Sequence, residues 1–316
     1  MQISGGVQLS GGVNLAPGGS GGAGGGGVSD GYFSGGTPSF PREVRGTKIQ
    51  KFSFSSDGNA TDVGDLIVSI YGCGGTSSSE SGYISGGDEA GSRIDRIQKF
   101  PFASNGNSTN VGTLTQAKDS VGSNGQNSSD YGYTSGGSNP AFGAYLNRIE
   151  KFSFTSDGNG SDVGDLVAHN SVTSGQSSAD NGYVCAGGYP IVDTIQKFPF
   201  SSDSNSTDVG DLTQGRIDTA GQSSTTEGFV TGGDVTNIIE KFPFASDSNS
   251  SDIGDLTTSG RGMAGSSSSI SGYTAGGTAP SGETNVIDKF PFASGGNATD
   301  VGDLTDTYYR GAGHQG

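Results

Sequence analysis

The sequence predicts an all-β protein, a six-bladed propeller, on three observations. The first is a repeat: Lys51, Lys99, Lys151, Lys197, Lys241 and Lys289 each stand in an Ile-x-Lys-Phe segment, 44 to 52 residues apart. A period of that size is one supersecondary unit. The second is that each copy reads as four short strands separated by Gly and Asn turns, the content of a propeller blade. The third is that the first copy lacks the strand that precedes every other copy, while the tail after the sixth copy supplies one.

The fifth copy shows the elements in order. Gly228-Phe229-Val230-Thr231 is a short apolar strand ending at the pair Gly232-Gly233. A loop follows, then Ile239-Glu240-Lys241-Phe242-Pro243-Phe244, with Phe242 and Phe244 on one face by period-two alternation. Pro243 removes a backbone donor, so a bulge or an unpaired edge is expected there. Asp247 to Asp252 is a turn of residues that bond their own backbone. Ile253-Gly254-Asp255-Leu256 opens another strand. The fourth is the stretch between copies, Arg216 to Gln222.

One such unit cannot stand alone. Five buried apolar side chains contribute roughly 1.5–3 kcal/mol each, while ordering the backbone costs about 1–2 kcal/mol per residue. Neighbouring units must cover both faces, which calls for a closed ring. Tyr309-Arg310-Gly311-Ala312-Gly313 matches Arg261-Gly262-Met263-Ala264-Gly265 between copies five and six. Residues 305–316 are therefore expected to complete the first blade and to hide both sheet edges. The division is an arm over residues 1–30 and a propeller over 31–316.

Composition narrows the function. The 316 residues carry 60 Gly, 29% apolar residues and a formal net charge of −16. That acidic balance argues against a nucleic-acid partner, which would need a basic stripe. The chain has no 18-residue apolar run and no signal-like N-terminus, so neither membrane insertion nor secretion is expected. Cys73 and Cys185 fall two units apart, too far in the repeat for an expected disulfide.

The Asn turns carry oxygen donors at the spacing of a short calcium loop, as in Asp57, Asn59, Thr61 and Asp65. Such a loop suits a hard cation. Copy two, however, reads Asn105, Asn107, Thr109 and Thr113, copy six has Gly295 in first place, and Asp62 stands where such loops carry Gly. The turns are read as Asx-type connections, with no cofactor and no metal ligands expected, and calcium as the alternative the spacing leaves open. Their Asn-x-Ser/Thr wording is read as turn chemistry too. The six repeat lysines are expected to pair with repeat acids such as the Asp of Gly-Asp-Leu.

The loops between the Gly pair and the Lys-Phe strand differ most between copies. Variable loops on a repeated frame are where recognition usually sits. Their basic residues, Arg42, Arg45, Lys48, Arg93, Arg96 and Arg148, all fall in the first three copies, interleaved with Phe40, Phe142 and Tyr145. These nine residues are the candidate binding set, for an anionic glycan or a protein. In the arm, Ile3, Val7, Leu9, Val13 and Leu15 recur in a six-residue pattern ahead of a Gly-rich tether. They are the candidate anchor, suited to adding a strand to a partner's sheet.

The order Arg216, Gly232-Gly233, Lys241-Phe242 and Asn249 resembles kelch repeats, six times over residues 31–316. The chain departs from them in having no Trp, with Asp252-Ile253 near that position. The wording Lys-Phe-Pro-Phe-Ala-Ser-Asp, continued to Val-Gly-Asp-Leu, resembles propeller proteins of marine bacteriophage virions. That resemblance implies a non-enzymatic virion surface protein, a tail fibre (adhesin) or a capsid decoration. Its residues 1–15 would dock on virion structural proteins, and its propeller would meet a host-surface glycan or a protein. The kelch resemblance alone implies an alternative, a bacterial carbohydrate-binding or oxidase-like protein. Kelch propellers include galactose oxidase, whose copper takes two His and two Tyr. Here His169 and His314 lie in different repeats without a supporting motif, so catalysis is not expected.

Overall fold

The computed structural model describes residues 28–37, 46–139, 141, 144–234 and 236–316. Among them every named element is a strand, and the main sheets are six antiparallel blades. Blade four is representative. Its innermost strand Ser174–Ser177 pairs with Asn181–Cys185, then Thr194–Pro199, then the outermost Thr207–Asp211. The innermost strands touch their neighbours in turn around an axis, so the ring is closed.

Closure follows the sequence reading. Ala312–Gln315 is the innermost strand of blade one and pairs antiparallel with Asp30–Ser34. The first blade strand thus starts at Asp30, one residue before the expected boundary. Gly316 O accepts the amides of Ser29 and Asp30, so the two ends of the propeller meet on one face.

The core is six slabs between blades rather than one centre. In the slab between blades two and three, Tyr83, Ile97 and Leu114 pack on Phe152 and Phe154. Tyr83 lies 4.7 Å from Phe154 and its hydroxyl donates to the Phe154 carbonyl. This is how a chain with few apolar residues is stabilised: each repeat buries one aromatic group of its own under two from the next.

Local irregularities have inter-blade causes. The bulge in the third strand lies between Ile239 and Glu240 in blade five, and at the same place in its repeats, rather than at Pro243. Pro243 is the last residue of its strand, where a lost donor costs little. The Gly of Val-Gly-Asp-Leu is required by close approach: a Cβ on Gly112 would overlap the Gly158 carbonyl of the next blade. The Gly pair ends its strand in a left-handed turn, and blade four has Ala186 in the first position at a φ of 61°.

Candidate functional site

Because successive strands run antiparallel, the propeller has two unlike faces. On the turn face lie the Asn turns and the Ser turns that join innermost to second strands. On the loop face lie the variable loops and the returns from outermost to innermost strands.

The turn face is a set of nearly identical stitches. Asn107 Oδ1 accepts the amide of Asp65 in the preceding blade, and Asn59 closes the ring by accepting that of Asp303. The Asn-x-Ser/Thr pattern is thus a ring-closing device. The lysine pairing differs from the sequence expectation. Lys99 reaches Asp157, Lys151 Asp203, Lys197 Asp247 and Lys289 Asp57, in each case the first Asp of the next blade's turn rather than the Asp of Gly-Asp-Leu. Where that position is Asn105 or Gly295, the lysine turns to its own blade: Lys51 pairs with Asp30 and Lys241 with Glu227. Beside Lys51 a cleft of ≈ 560 Å³ opens among Tyr32, Glu80 and Phe102. The first carboxylate of four of the calcium-like loops, Asp57, Asp157, Asp203 and Asp247, is therefore engaged by an ammonium group. Among the described residues no group of three or more His, Cys, Asp or Glu side chains is placed to hold a metal ion.

Behind the stitches is a buried acceptor position, occupied by Gln50, Gln98, Glu150, Gln196, Glu240 and Asp288 in successive blades. Each accepts the amide that follows Gly-x-Leu in the preceding blade, as Gln98 does from Ile67 and Gln50 from Thr305. Two of its three carboxylates meet buried cations. Lys118 Nζ stands 2.6 Å from Glu150, both wholly buried, and Arg216 pairs with Glu240. Burial pushes Glu150 up, but Lys118 and the Thr115 donors outweigh it and hold the carboxyl below its ordinary value.

Asp288 accepts from the Thr257 amide and hydroxyl, and burial raises its pKa. The folded value lies above the unfolded one, so ionisation costs stability at neutral pH, and that cost fades as pH falls through the folded value. Asp288→Asn keeps an acceptor for Thr257. It is expected to melt at or above the wild-type temperature at neutral pH and to lose that advantage in acid. A lower neutral melting point with the same acid profile would contradict this account.

The axis is filled. In blades four and six the bridged residues Ser171 and Arg261 precede the innermost-strand glycines Gly175 and Gly265 by four positions, but in blade three Asp119 precedes Gly125 by six. The two extra residues cross the axis. Asn124 Nδ2 donates to Gly265 O, and its Oδ1 accepts from the Gly265 and Gly221 amides. Towards the loop face, backbone amides hand on round the axis from Gly72 to Arg310, Gly262, Asp218, Val172 and Ser120, at 2.7–2.9 Å. The Arg310 guanidinium then clamps the Asp218 carboxylate with two 2.7 Å bonds. This interior is a structural plug rather than an open channel.

On the loop face the candidate set divides. Phe40, Arg42, Arg45 and Phe142 lie outside the described residues, as do the anchor residues Ile3, Val7, Leu9, Val13 and Leu15. The described basic residues each meet a carboxylate: Lys48 Asp62, Arg93 Asp88 and Asp119, Arg96 Glu89, Arg148 Asp162. Arg93 belongs to a loop that forms its own small hairpin, Asp88–Glu89 with Ser92–Arg93, whereas Lys48, Arg96, Arg148 and Tyr145 stand on third strands rather than in the loops where the sequence put them. Tyr145 stacks on Tyr189, 4.7 Å between centroids and 9° between planes. Tyr189 and its neighbour Ile191 are 58% and 54% exposed. The sequence reading followed charge and passed over them; the signal was an apolar loop, Tyr189-Pro190-Ile191, on a rim otherwise rich in polar residues.

The two histidines are not brought together. His314 is buried in the innermost strand of blade one between Ser34 Oγ and the Thr76 carbonyl, where burial pulls its pKa down to about 4. His169 is exposed on the outermost strand of blade three. Cys73 and Cys185 are free and buried.

Fold and site together define a closed β-propeller with a plugged axis, one uniform face and one variable face. No protein-family model matches the chain, and no curated protein matches it significantly.

Proposed function

We infer that this chain is a non-enzymatic binding module displayed on a larger particle, with residues 1–15 attached to the particle's structural proteins and the loop face outward. The observation that carries this reading is the division of the two faces. The turn face repeats its stitches from blade to blade, and the described chain enters beside Gly316 on that face, so an attachment through the preceding residues leaves the loop face free. The loop face varies in sequence from blade to blade; among the described residues, blades two and six carry a short hairpin there, whereas blade four presents Tyr189 and Ile191. The particle is read as a bacteriophage virion, as tail fibre or capsid decoration, from the resemblance of the repeat wording to virion propellers. A host-surface ligand is the corresponding partner.

Because both native cysteines are buried, one introduced cysteine can carry a bulky polymer at a chosen place. Fluorescent full-length chain is expected to bind host cells saturably. A polymer on Ser92→Cys, on the loop face, should abolish binding, whereas one on Ser156→Cys, on the turn face, should not. Flow cytometry showing the reverse would overturn the orientation. No saturable binding by the unmodified chain would overturn the host-binding role.

A further inference from the structure

We propose that the stacked pair Tyr145–Tyr189 is the floor of a subsite for a neutral pyranose sugar. The inference deepens the reading of the loop face as the outward binding surface and rests on it.

The pair is built by two blades. Tyr145 belongs to the third strand of blade three, Ala144–Ser153, which with its outermost partner Ser161–Asn170 runs ten residues, against five or six for the matching strands of the other blades. Tyr189 comes from the variable loop of blade four. Near-parallel stacking covers one face of the Tyr189 ring, and its 58% exposure means that much of the rest is in solvent. The residue also holds a φ of 69°, a conformation that aromatic residues seldom adopt. A loop that only joined two strands would have no use for an aromatic residue there.

The chemistry selects the ligand. An aromatic ring carries negative charge on its faces, so it attracts the weakly positive C–H groups that line one face of a pyranose. An anionic glycan fits poorly. The chain carries −16 net charge, and Lys48, Arg93, Arg96 and Arg148 all face carboxylates. A protein partner would need a patch of roughly 800 Å² on each side, whereas one sugar ring needs only one aromatic face.

Saturation-transfer NMR on the full chain tests this, with the methyl glycosides of glucose, galactose, mannose and N-acetylglucosamine as probes. At least one is expected to receive saturation on the C–H groups of a single ring face. Tyr189→Ala should weaken that binding roughly tenfold, the scale of one lost ring contact, while Tyr189→Phe retains it. Tyr145→Ala, which removes the support, should also weaken it with the melting temperature unchanged. No transfer to any of the four, or equal binding by Tyr189→Ala, would overturn the proposal, as would binding confined to a sulfated or uronic-acid oligosaccharide. Its failure is separable from that of the display reading. Cell binding that survives in Tyr189→Ala rejects the sugar subsite alone, whereas absence of cell binding by the wild type rejects the outward role.

Discussion

A chain ending at Leu304 is expected to lose the folded monomer. Its missing strand, Ala312–Gln315, supplies four pairings to Asp30–Ser34 and packs against the innermost strands of blades two and six. Without it the ring opens, Ser266 Oγ loses its bond to the His314 carbonyl, and the sheet edge at Asp30–Ser34 is left bare. A domain is stable by roughly 5–15 kcal/mol in all, and the cut removes the strand pairing of blade one together with side-chain hydrogen bonds to blades two and six. Size-exclusion chromatography should show aggregation, and thermal melting should lose its cooperative transition. A synthetic peptide spanning residues 305–316 should restore both. A truncated chain that stayed monomeric with an unchanged melting temperature would show that blade one does not need its C-terminal strand.

Replacing Lys118 by Met is the second large effect. It strands the Glu150 carboxylate in a site that excludes water, and breaking one side of a buried pair costs about 3–5 kcal/mol. The companion change Glu150→Gln should recover most of that loss, because Gln50, Gln98 and Gln196 fill the same acceptor position without a cation. The acid profile gives a second readout. The folded-state value of Glu150 lies below the unfolded one, so the pair's contribution is present above the ordinary carboxylate range and is lost as pH falls towards the folded value. The double variant should show less of that loss. Denaturant midpoints measure the difference, and a single variant as stable as the wild type would mean that Glu150 is not charged inside the protein.

Much of the fold was legible because a repeat states the same physical requirement six times. The alternation of Phe242 with Phe244, the Gly pair and the Asn turn are local demands of strands and turns, and they read directly. The repeat also disclosed its own closure, since a blade that lacks a strand must find one in the tail. Partners across blades were harder to read. The lysines were assigned to the wrong Asp, because sequence separation says nothing about which of two acids the next blade brings near. Asn105 and Gly295 held the clue: where the turn loses its Asp, Lys51 and Lys241 use Asp30 and Glu227. The candidate site suffered more. Charge drew attention to Arg93, Arg96 and Arg148, and the fold places a carboxylate against each. Tyr189 has no meaning in the sequence without Tyr145, which lies in another blade.

By itself the sequence determined the all-β class, the number of blades, the order of strands within each blade and the return of the tail to blade one. All of these follow from local periodicity and from the inability of one small sheet to bury its own faces. Only the tertiary structure decided that two extra residues of blade three plug the axis, that Lys118 and Arg216 neutralise buried glutamates, and that Tyr145 and Tyr189 stack on an exposed rim. Each of those depends on groups far apart in the chain meeting at a fixed distance, and closing the ring is what sets such distances.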